Sequence, residues 1–373
     1  MIKLSQPSIS EEAISRVADI LRSGQLVYGK ECLDFERELA EFLGVRHALV
    51  VSSGTAALHV ALLALGVGAG DAVIVPDFTF AATANIVEMT GARTVIVDVD
   101  PVTYNMDPTK LETLVESWDY PEHLKAIMPV LEFGNPSGIE KYREIADRHG
   151  LFLVEDAACA MGAHNSAGKI GTFGDFGCFS FHPRKTLTTG EGGLIVTSSD
   201  KYAEKADLLR NHGMKRTDQG MSFKMPGLNY RLTNFQAAIG RDFLSRLPSY
   251  LKKRFTLAKS YEIELGGLLE AGMILLPRIQ EGHSCQTYMI KLQGNLCRNQ
   301  LIDDMRAKGV ETNLGAQSMS RLGLFTHVAN SKQIFTVGAD LFENGLALPL
   351  HEAMSIDDVR LVCSSLSEAL MRR

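Results

Sequence analysis

The residue whose surroundings most suggest chemistry is Lys185, which stands in a segment rich in small, hydroxylated and glycine residues. A lysine is ordinarily a solvated surface charge. To act as an amine nucleophile near neutral pH it must lose its proton, which requires desolvation or nearby positive charge that lowers its pKa. Phe181, Pro183 and Arg184 flank Lys185 and could provide both effects. A surface charge and a buried nucleophile therefore remain the two interpretations of Lys185.

A carboxylate follows a short apolar run at Asp156, and small residues come directly after it. In open α/β sheets, ligands bind at the carboxyl ends of the strands. An aspartate there could neutralise a protonated ring nitrogen, and a small neighbour such as Ala158 would leave room for a flat ring. Alternatively, Asp156 caps the next segment.

A possible anion site lies where the apolar run His47–Val51 breaks at small residues and opens into a helix. The unpaired backbone N–H groups and the positive end of such a helix attract an anion. Gly54 would allow close approach and Thr55 would add a hydroxyl. Plain helix capping explains the same residues.

The elements that must position these residues alternate between short apolar runs and helical segments from residue 47 onward. We predict strands at 47–51, 72–75, 94–99, 125–131, 151–154 and 194–197. We predict helices starting at Thr55, at Thr79 and near Gly138, in addition to two amphipathic helices before residue 45. This rhythm is typical of an α/β fold with a mostly parallel sheet between helices.

The last third of the chain has a different pattern. A long helical stretch begins near residue 232, and a strand at Tyr288–Leu292 and a helix around Leu301–Lys308 follow it. We therefore predict a large domain over residues 1–240 and a smaller α+β domain over residues 241–373.

Composition restricts the partners. The formal net charge is −6 and the sequence contains no basic stripe, which argues against nucleic-acid binding. No apolar run reaches the roughly 20 residues of a membrane span, and the first residues do not resemble a secretory signal. The six scattered cysteines lack a C-x-x-C pair, which fits a reducing compartment. We expect a cytoplasmic protein that acts on small molecules.

The order of these features resembles the fold-type I enzymes that use pyridoxal 5'-phosphate (PLP). Within that group the chain resembles the DegT/DnrJ/EryC1/StrS family of sugar aminotransferases over nearly its whole length. The most specific matching stretches are Ser53–Leu58, Pro76–Asn85, Glu155–Ala158, Ser180–Lys185 and Thr188–Gly193. The implied fold is a seven-stranded type of mostly parallel sheet with a smaller C-terminal α+β domain.

The resemblance assigns a role to each matching residue. Lys185 would hold PLP through an imine and then move a proton between the substrate and the cofactor. Asp156 would keep the pyridine nitrogen protonated, which makes the ring an electron sink. Phe80 would stack on one face of the ring and Ala158 would close the other. The phosphate-binding residues would be Gly54, Thr55, Ala56 and Ser180.

A further matching segment, Gly227–Leu232, belongs in this family to the site of the neighbouring subunit. Asn229 would reach the phosphate, and Arg231 would bind the carboxylate of the amino donor with two parallel hydrogen bonds. This assignment requires at least a homodimer with composite active sites. A turn residue and a surface charge are the alternative interpretations.

The chain also departs from the family pattern. Cys159 stands where many relatives have Gln or His near the ring hydroxyl, so that contact is in doubt and Cys159 could be a small buried filler. Leu131–Gly134 replaces a frequent His-x-Tyr/Phe-Gly run, and Glu132 could alter sugar recognition or only face solvent. Residues 309–318 lack the aromatic or histidine that this region often contributes to the sugar site.

The resemblance implies an aminotransferase that transfers nitrogen from L-glutamate to a nucleotide-linked keto sugar. The reaction would run in two halves, with pyridoxamine 5'-phosphate (PMP) as the intermediate form of the cofactor. PMP-dependent sugar dehydratases in this family carry His where Lys185 stands, which disfavours that activity. A non-catalytic PLP-binding regulator or scaffold is the alternative from another class. Amination at C4 of the sugar is slightly favoured over C3.

Overall fold

The fold is built on one seven-stranded sheet, and the computed structural model describes residues 1–217, 220–324 and 335–371. Across this sheet the order is β1-β8-β7-β6-β5-β2-β4. The strands of the described residues are β1 (His47–Val51), β2 (Asp71–Pro76), β3 (Phe78–Thr79), β4 (Arg93–Val97), β5 (His123–Ile127), β6 (Phe152–Asp156), β7 (Phe176–Ser180), β8 (Gly193–Thr197), β9 (Met214–Thr217), β10 (Gly220–Phe223), β11 (Ile274–Leu275), β12 (Tyr288–Leu292), β13 (Gln317–Ser318) and β14 (Gly345–Leu348).

Helices cover both faces of this sheet and surround the C-terminal part of the chain. In the described residues they are α1 (Glu11–Ser23), α2 (Lys30–Leu43), α3 (Gly54–Leu65), α4 (Ala82–Met89), α5 (Pro108–Glu116), α6 (Ile139–His149), α7 (Asp200–Arg210), α8 (Asn234–Glu264), α9 (Gly266–Glu270), α10 (Arg298–Ala307), α11 (Thr336–Asn344) and α12 (Ile356–Met371). Two short 3₁₀ turns lie at Glu132–Gly134 and Met319–Arg321.

The predicted fold class is confirmed. The pairs β2–β4, β2–β5, β5–β6 and β6–β7 are parallel, and only β8 runs against its neighbours β7 and β1. The carboxyl ends of β1, β2, β6 and β7 therefore meet at one edge of the sheet. At that edge Gly193, the first residue of β8, pairs with both Val51 and Ser180.

Apolar residues fill both faces of the sheet. One core joins the sheet to α2, α5, α6 and α8 through side chains such as Phe35, Ile145 and Phe243. The other core joins it to α3, α4 and α7 through side chains such as Leu62 and Val87. Strands buried on both faces read as continuous apolar runs, which is why β2 and β6 were visible in the sequence.

The C-terminal residues form a smaller antiparallel sheet, ordered β11-β12-β14, that packs against α8, α10 and α12. Tyr261 of α8 stacks on Tyr288 of β12 with ring centroids 4.7 Å apart. The helix α8 runs unbroken across residue 240, so the same helix touches α1 and α2 at one end and α12 at the other. The division into residues 1–240 and 241–373 stays a prediction.

Two local predictions need correction. The helix predicted from Thr79 begins only at Ala82, because Phe78–Thr79 form a short strand that pairs with Gln317–Ser318. A partner more than 200 residues away decided this conformation, and local periodicity could not show it. Strand β7 was not predicted, because Gly177 and Ser180 interrupt the short apolar run Phe176–Ser180.

The other predicted strands and helices are present with boundaries that shift by a few residues. Within the residues that the structure describes, no helix combines the length and the apolar character needed to cross a membrane.

Candidate active site

A cavity of about 430 Å³ opens at the edge where the carboxyl ends of β1, β6 and β7 meet. Its wall comes from the central sheet and from segments of the smaller C-terminal sheet. The predicted site residues on this wall are Gly54, Thr55, Phe80, Asp156, Ala158, Ser180 and Lys185. Residues from four separate stretches of the chain thus converge on one space, as the sequence predicted for a ligand at this edge.

Asp156 is the last residue of β6, and its carboxylate is held by hydroxyl and backbone donors. Thr83 Oγ1 donates to Asp156 Oδ2 at 2.8 Å, and the backbone N–H of Ala158 donates to Oδ1 at 3.2 Å. The hydroxyl of Thr79 lies 2.9 Å from that of Thr83. Because Thr83 gives its single proton to Asp156, Thr79 must donate to Thr83. Burial raises the pKa of Asp156, while Thr83, Ala158 and Lys185 lower it in part.

Lys185 lies in the loop between β7 and β8, where its backbone N–H donates to His182 O at 2.8 Å. Its Nζ lies 3.0 Å from Cys159 Sγ. Burial lowers the pKa of Lys185, but Cys159, Glu132 and Asp156 outweigh burial, and the pKa is raised overall.

The expectation that Phe181, Pro183 and Arg184 would lower this pKa is therefore wrong for the chain without ligand. Phe181 points into the core against Phe35, and Arg184 is exposed. Cys159, Glu132 and Asp156 instead favour the protonated form of Lys185.

The first turn of α3 forms a narrow cup. Ser53 caps the helix, since its Oγ accepts the backbone N–H of Ala56 at 3.0 Å. A Cβ on Gly54 would lie 2.8 Å from Ser180 Cβ, so only glycine allows this approach. Because Ser53 takes the N–H of Ala56, the backbone N–H groups of Gly54 and Thr55 are the ones in this turn that can bind an anion. Ala56 lies beneath this turn and does not reach the cavity wall.

Phe80 and Ala158 border the same cavity. Phe80 has 60% of its surface exposed, which is unusual for a phenylalanine and leaves its ring free to pack on a ligand. Ala158 follows the bend after Asp156 and presents only a methyl group.

These residues fit PLP. A buried carboxylate for the ring nitrogen, an amine for the aldehyde and a glycine-lined helix start for the phosphate share one cavity of adequate volume. The close Gly54–Ser180 contact also explains why both predicted phosphate residues are small.

Asn229 and Arg231 do not line the cavity of their own chain. Both lie in a segment that pairs with the end of β1, where Ser52 N–H donates to Tyr230 O at 2.9 Å. The guanidinium of Arg231 donates to Asn211 Oδ1 at 3.0 Å, and Asn229 is exposed. Their prediction as residues of a neighbouring subunit's site stays a prediction.

The two departures from the family pattern both border the cavity. Cys159 is half-buried beside Lys185, so it is more than a buried filler. Glu132 is only 4% exposed, so the interpretation that it faces solvent is wrong. Burial raises its pKa to about 8, Lys185 lowers this pKa in part, and Asp156 adds to the rise.

Sequence reasoning missed several residues of this wall. Thr83 lies in the matching stretch Pro76–Asn85, but no role was predicted for it, and its contact with Thr79 joins a helix to a strand, which local spacing does not indicate. The smaller C-terminal sheet and its loops contribute polar side chains from Gln286, Thr287, Asn313 and Gln317. The buried Oε1 of Gln317 has no hydrogen-bond partner among the described residues, which is expected of a group that meets a polar ligand.

The comparisons with known proteins agree with this site. The sequence model of the DegT/DnrJ/EryC1/StrS aminotransferase family matches residues 7–367. The chain is 38% identical to a GDP-perosamine synthase of Caulobacter vibrioides, over 92% of this chain and 91% of the relative.

Solved structures show the same fold. Helicobacter pylori PseC, an aminotransferase of pseudoaminic acid biosynthesis, superposes with a TM-score of 0.92 at 27% identity, covering 100% of both chains. The putative sugar aminotransferase Spr1654 of Streptococcus pneumoniae, solved in a PMP form, superposes with a TM-score of 0.91 at 25% identity, also covering 100% of both chains. The chain therefore belongs to the DegT/DnrJ/EryC1/StrS aminotransferase family and is a PLP-dependent sugar aminotransferase.

Proposed function

We propose that this enzyme transfers the amino group of L-glutamate to a nucleotide-linked keto sugar in two half-reactions. The observation that carries the proposal is the convergence of Lys185, Asp156 and the first turn of α3 on one cavity. The names of the relatives support a sugar as acceptor, and the intact Lys185 argues against a PMP-dependent dehydratase. A regulator without turnover would not need the lysine and the buried aspartate together.

The roles of the residues follow from their positions. Asp156 would stabilise the protonated ring nitrogen of PLP, and Thr83 would keep that carboxylate ionised and oriented. When bound, PLP withdraws electrons from the substrate carbon that carries the nitrogen. Lys185 Nζ would take the proton from that carbon and return it at the end of each half-reaction. Gly54, Thr55 and Ser180 would hold the phosphate at the start of α3, and the capping bond from Ala56 N–H to Ser53 would keep this turn in place.

The shape of the ring site agrees with these roles. Phe80 would pack on one face of the ring, where its exposed side chain already borders the cavity, and Ala158 would leave room on the other. The half-buried position of Cys159, 3.0 Å from Lys185 Nζ, would place its thiol next to the reacting atoms.

The amino donor would require a second subunit. Arg231 is the residue that the resemblance assigns to the carboxylate of the amino donor. It lies outside the cavity of its own chain. In a homodimer, Asn229 and Arg231 of one chain would complete the site of the other, with Arg231 binding the carboxylate of glutamate.

The acceptor would be bound by the polar side chains of the smaller C-terminal unit, which we propose as residues 241–373. Gln286, Thr287 and Gln317 offer amide and hydroxyl groups suited to sugar hydroxyls. The relative named GDP-perosamine synthase makes a GDP-linked sugar the first acceptor to test, with C4 favoured over C3 as the aminated carbon.

The test mixes purified holoenzyme with L-glutamate alone. We expect the yellow absorbance of the lysine-linked cofactor to disappear in one turnover while one equivalent of 2-oxoglutarate per site is released. Addition of GDP-perosamine to fresh holoenzyme should bleach it as well, because transamination is reversible. The control is the Lys185→Ala variant, which should catalyse neither the reaction with L-glutamate nor the reaction with GDP-perosamine. An unchanged spectrum with L-glutamate would contradict the proposal.

A further inference from the structure

Glu132 is a buried acidic residue that the roles assigned above do not use. It lies in the cavity wall together with Lys185 and Asp156, and it is 4% exposed. Among the described residues, no ion pair includes its carboxyl group, and the neighbouring Lys185 and the backbone N–H of Phe133 offset the effect of burial on its pKa only in part. Burying a carboxyl group with so few partners is unfavourable, and such groups concentrate at functional sites.

The backbone holds Glu132 in a fixed position. Its N–H donates to Asn105 Oδ1 at 2.8 Å, and Asn105 Nδ2 donates to the carbonyls of Asn135 and Ser137 at 3.0 and 2.9 Å. The next residue, Phe133, adopts a φ of 55°, which is strained for a residue with a side chain. Strain of this kind persists only where the surroundings fix it, and it marks functional loops.

The smaller C-terminal unit fixes the same turn from the other side. The backbone N–H groups of Ser284 and Gln286 donate to the carbonyls of Gly134 and Phe133, at 3.1 and 3.0 Å. Ser284 Oγ donates to Cys159 O at 3.0 Å. A Cβ on Gly134 would lie 1.7 Å from Ser284 Oγ, so this contact requires glycine. Glu132 therefore lies where the central sheet and the smaller C-terminal unit both line the cavity.

The charges around Glu132 decide its chemistry. Burial raises its pKa to about 8, and of the neighbouring charges Lys185 lowers and Asp156 raises this value. At neutral pH the group is thus largely a carboxylic acid, which can donate one hydrogen bond and accept another. A sugar hydroxyl offers the matching acceptor and donor. A carboxylate of L-glutamate could accept the hydrogen bond from Glu132 but could not return one, and it would repel Glu132 whenever Glu132 ionises.

We infer that Glu132 is a specificity-determining residue that exchanges hydrogen bonds with a hydroxyl group of the sugar substrate near the reacting carbon. The inference rests on the proposed function, since it needs a sugar in this cavity. Its contact with the sugar is direct, and the turn 132–134 serves to aim the carboxyl group. The reaction with the amino donor does not use Glu132.

The test compares two bleaching reactions of the holoenzyme in single turnovers at pH 7, one with GDP-perosamine and one with L-glutamate. We expect Glu132→Leu to react roughly 10- to 100-fold more slowly with GDP-perosamine, because a buried hydrogen bond is lost. Its reaction with L-glutamate should stay within about 2-fold of the wild type. Glu132→Gln keeps an amide donor and acceptor, and it should recover most of the lost rate.

The matched control is Glu116→Gln, which removes an exposed carboxylate on α5 outside the cavity and should slow neither reaction. If the Glu132→Leu protein does not fold, Glu132→Ala takes its place. For each variant, the rate with GDP-perosamine is divided by the rate with L-glutamate from the same preparation, which corrects for inactive protein.

The inference would be overturned if Glu132→Leu slowed the reactions with GDP-perosamine and L-glutamate equally. It would also be overturned if Glu132→Gln reacted with GDP-perosamine as slowly as Glu132→Leu. A wild type that reacts with neither compound would instead overturn the proposed function.

Discussion

The hydroxyl of Thr83 donates a 2.8 Å hydrogen bond to Asp156, and this bond joins helix α4 to the end of strand β6 inside the cavity. Asp156 is buried, and burial favours its neutral form. The threonine acts against this tendency because a hydrogen bond to a carboxylate stabilises the charged form. In the proposed function, Thr83 would thus help Asp156 to stay ionised opposite the protonated ring nitrogen of PLP.

Removing the hydroxyl of Thr83 should lower the catalytic rate without unfolding the enzyme. We predict that Thr83→Val lowers kcat about 5- to 10-fold, because the pKa of Asp156 rises when one hydrogen bond is lost. Thr83→Ser keeps the donor and should retain most of the activity. Steady-state kinetics on both variants measures the difference, and a valine variant with normal kcat would show that Asp156 does not depend on Thr83.

The exposed ring of Phe80 should contribute to cofactor affinity. We predict that Phe80→Leu raises the Kd for PLP about 3- to 10-fold, as expected for the loss of an aromatic stacking contact. Phe80→Tyr keeps the ring and serves as the control. Titration of apoenzyme with PLP gives both constants. Equal affinities in all three proteins would mean that this ring does not pack on the cofactor.

The contribution of Glu155 to stability should fall as pH rises from about 5 to 7. Glu155 is fully buried within strand β6, and burial raises its pKa to about 7. The backbone N–H groups of Gly174, Gly171 and Phe173 donate to its carboxyl group and lower this pKa in part. In this pH window the unfolded chain releases the proton of Glu155 and the folded chain keeps it, so ionisation favours unfolding. The loss amounts to at most about 3 kcal/mol of unfolding free energy.

Urea unfolding of wild type and Glu155→Gln at several pH values tests this prediction. The variant should lose much of the slope between pH 5 and 7, whatever its absolute stability. An identical slope in both proteins would assign the pH dependence to other groups, of which Glu132 is the nearest candidate.

Composite active sites can be tested by mixing two inactive variants. Lys185→Ala and Arg231→Ala should each be inactive alone, because each removes one half of every site. If Arg231 serves the neighbouring subunit, a hybrid dimer contains one intact site. Random exchange of subunits should then restore about a quarter of the wild-type activity. Mixtures that remain inactive, despite proven subunit exchange, would place both residues in the same subunit's site.

The sequence predicted the central sheet because its strands are buried runs between capped helices. Ser10 caps α1 by accepting from Ala13 N–H, and Gly24 ends this helix with a φ of 71°, both as expected from local chemistry. The resemblance to the family implied that Asp156 and Lys185 would share a site, and both residues line the same cavity.

Other features depend on contacts that local patterns cannot contain. Thr79 is extended because Gln317 pairs with it from a distant segment. The carboxyl group of Glu132 is buried because Asn105 and Ser284 hold its turn, and nothing beside Glu132 in the sequence indicates either partner. The raised pKa of Lys185 likewise arises from three acidic groups that the fold assembles.

The central claim is that Lys185 Nζ bonds covalently to the aldehyde of PLP, and one measurement tests it directly. Borohydride reduction of the holoenzyme should fix the cofactor irreversibly, and peptide mapping by mass spectrometry should locate one phosphopyridoxyl group per chain on Lys185. The Lys185→Ala variant should carry no such label. A label on any other lysine, or no label on a yellow wild-type protein, would contradict this account.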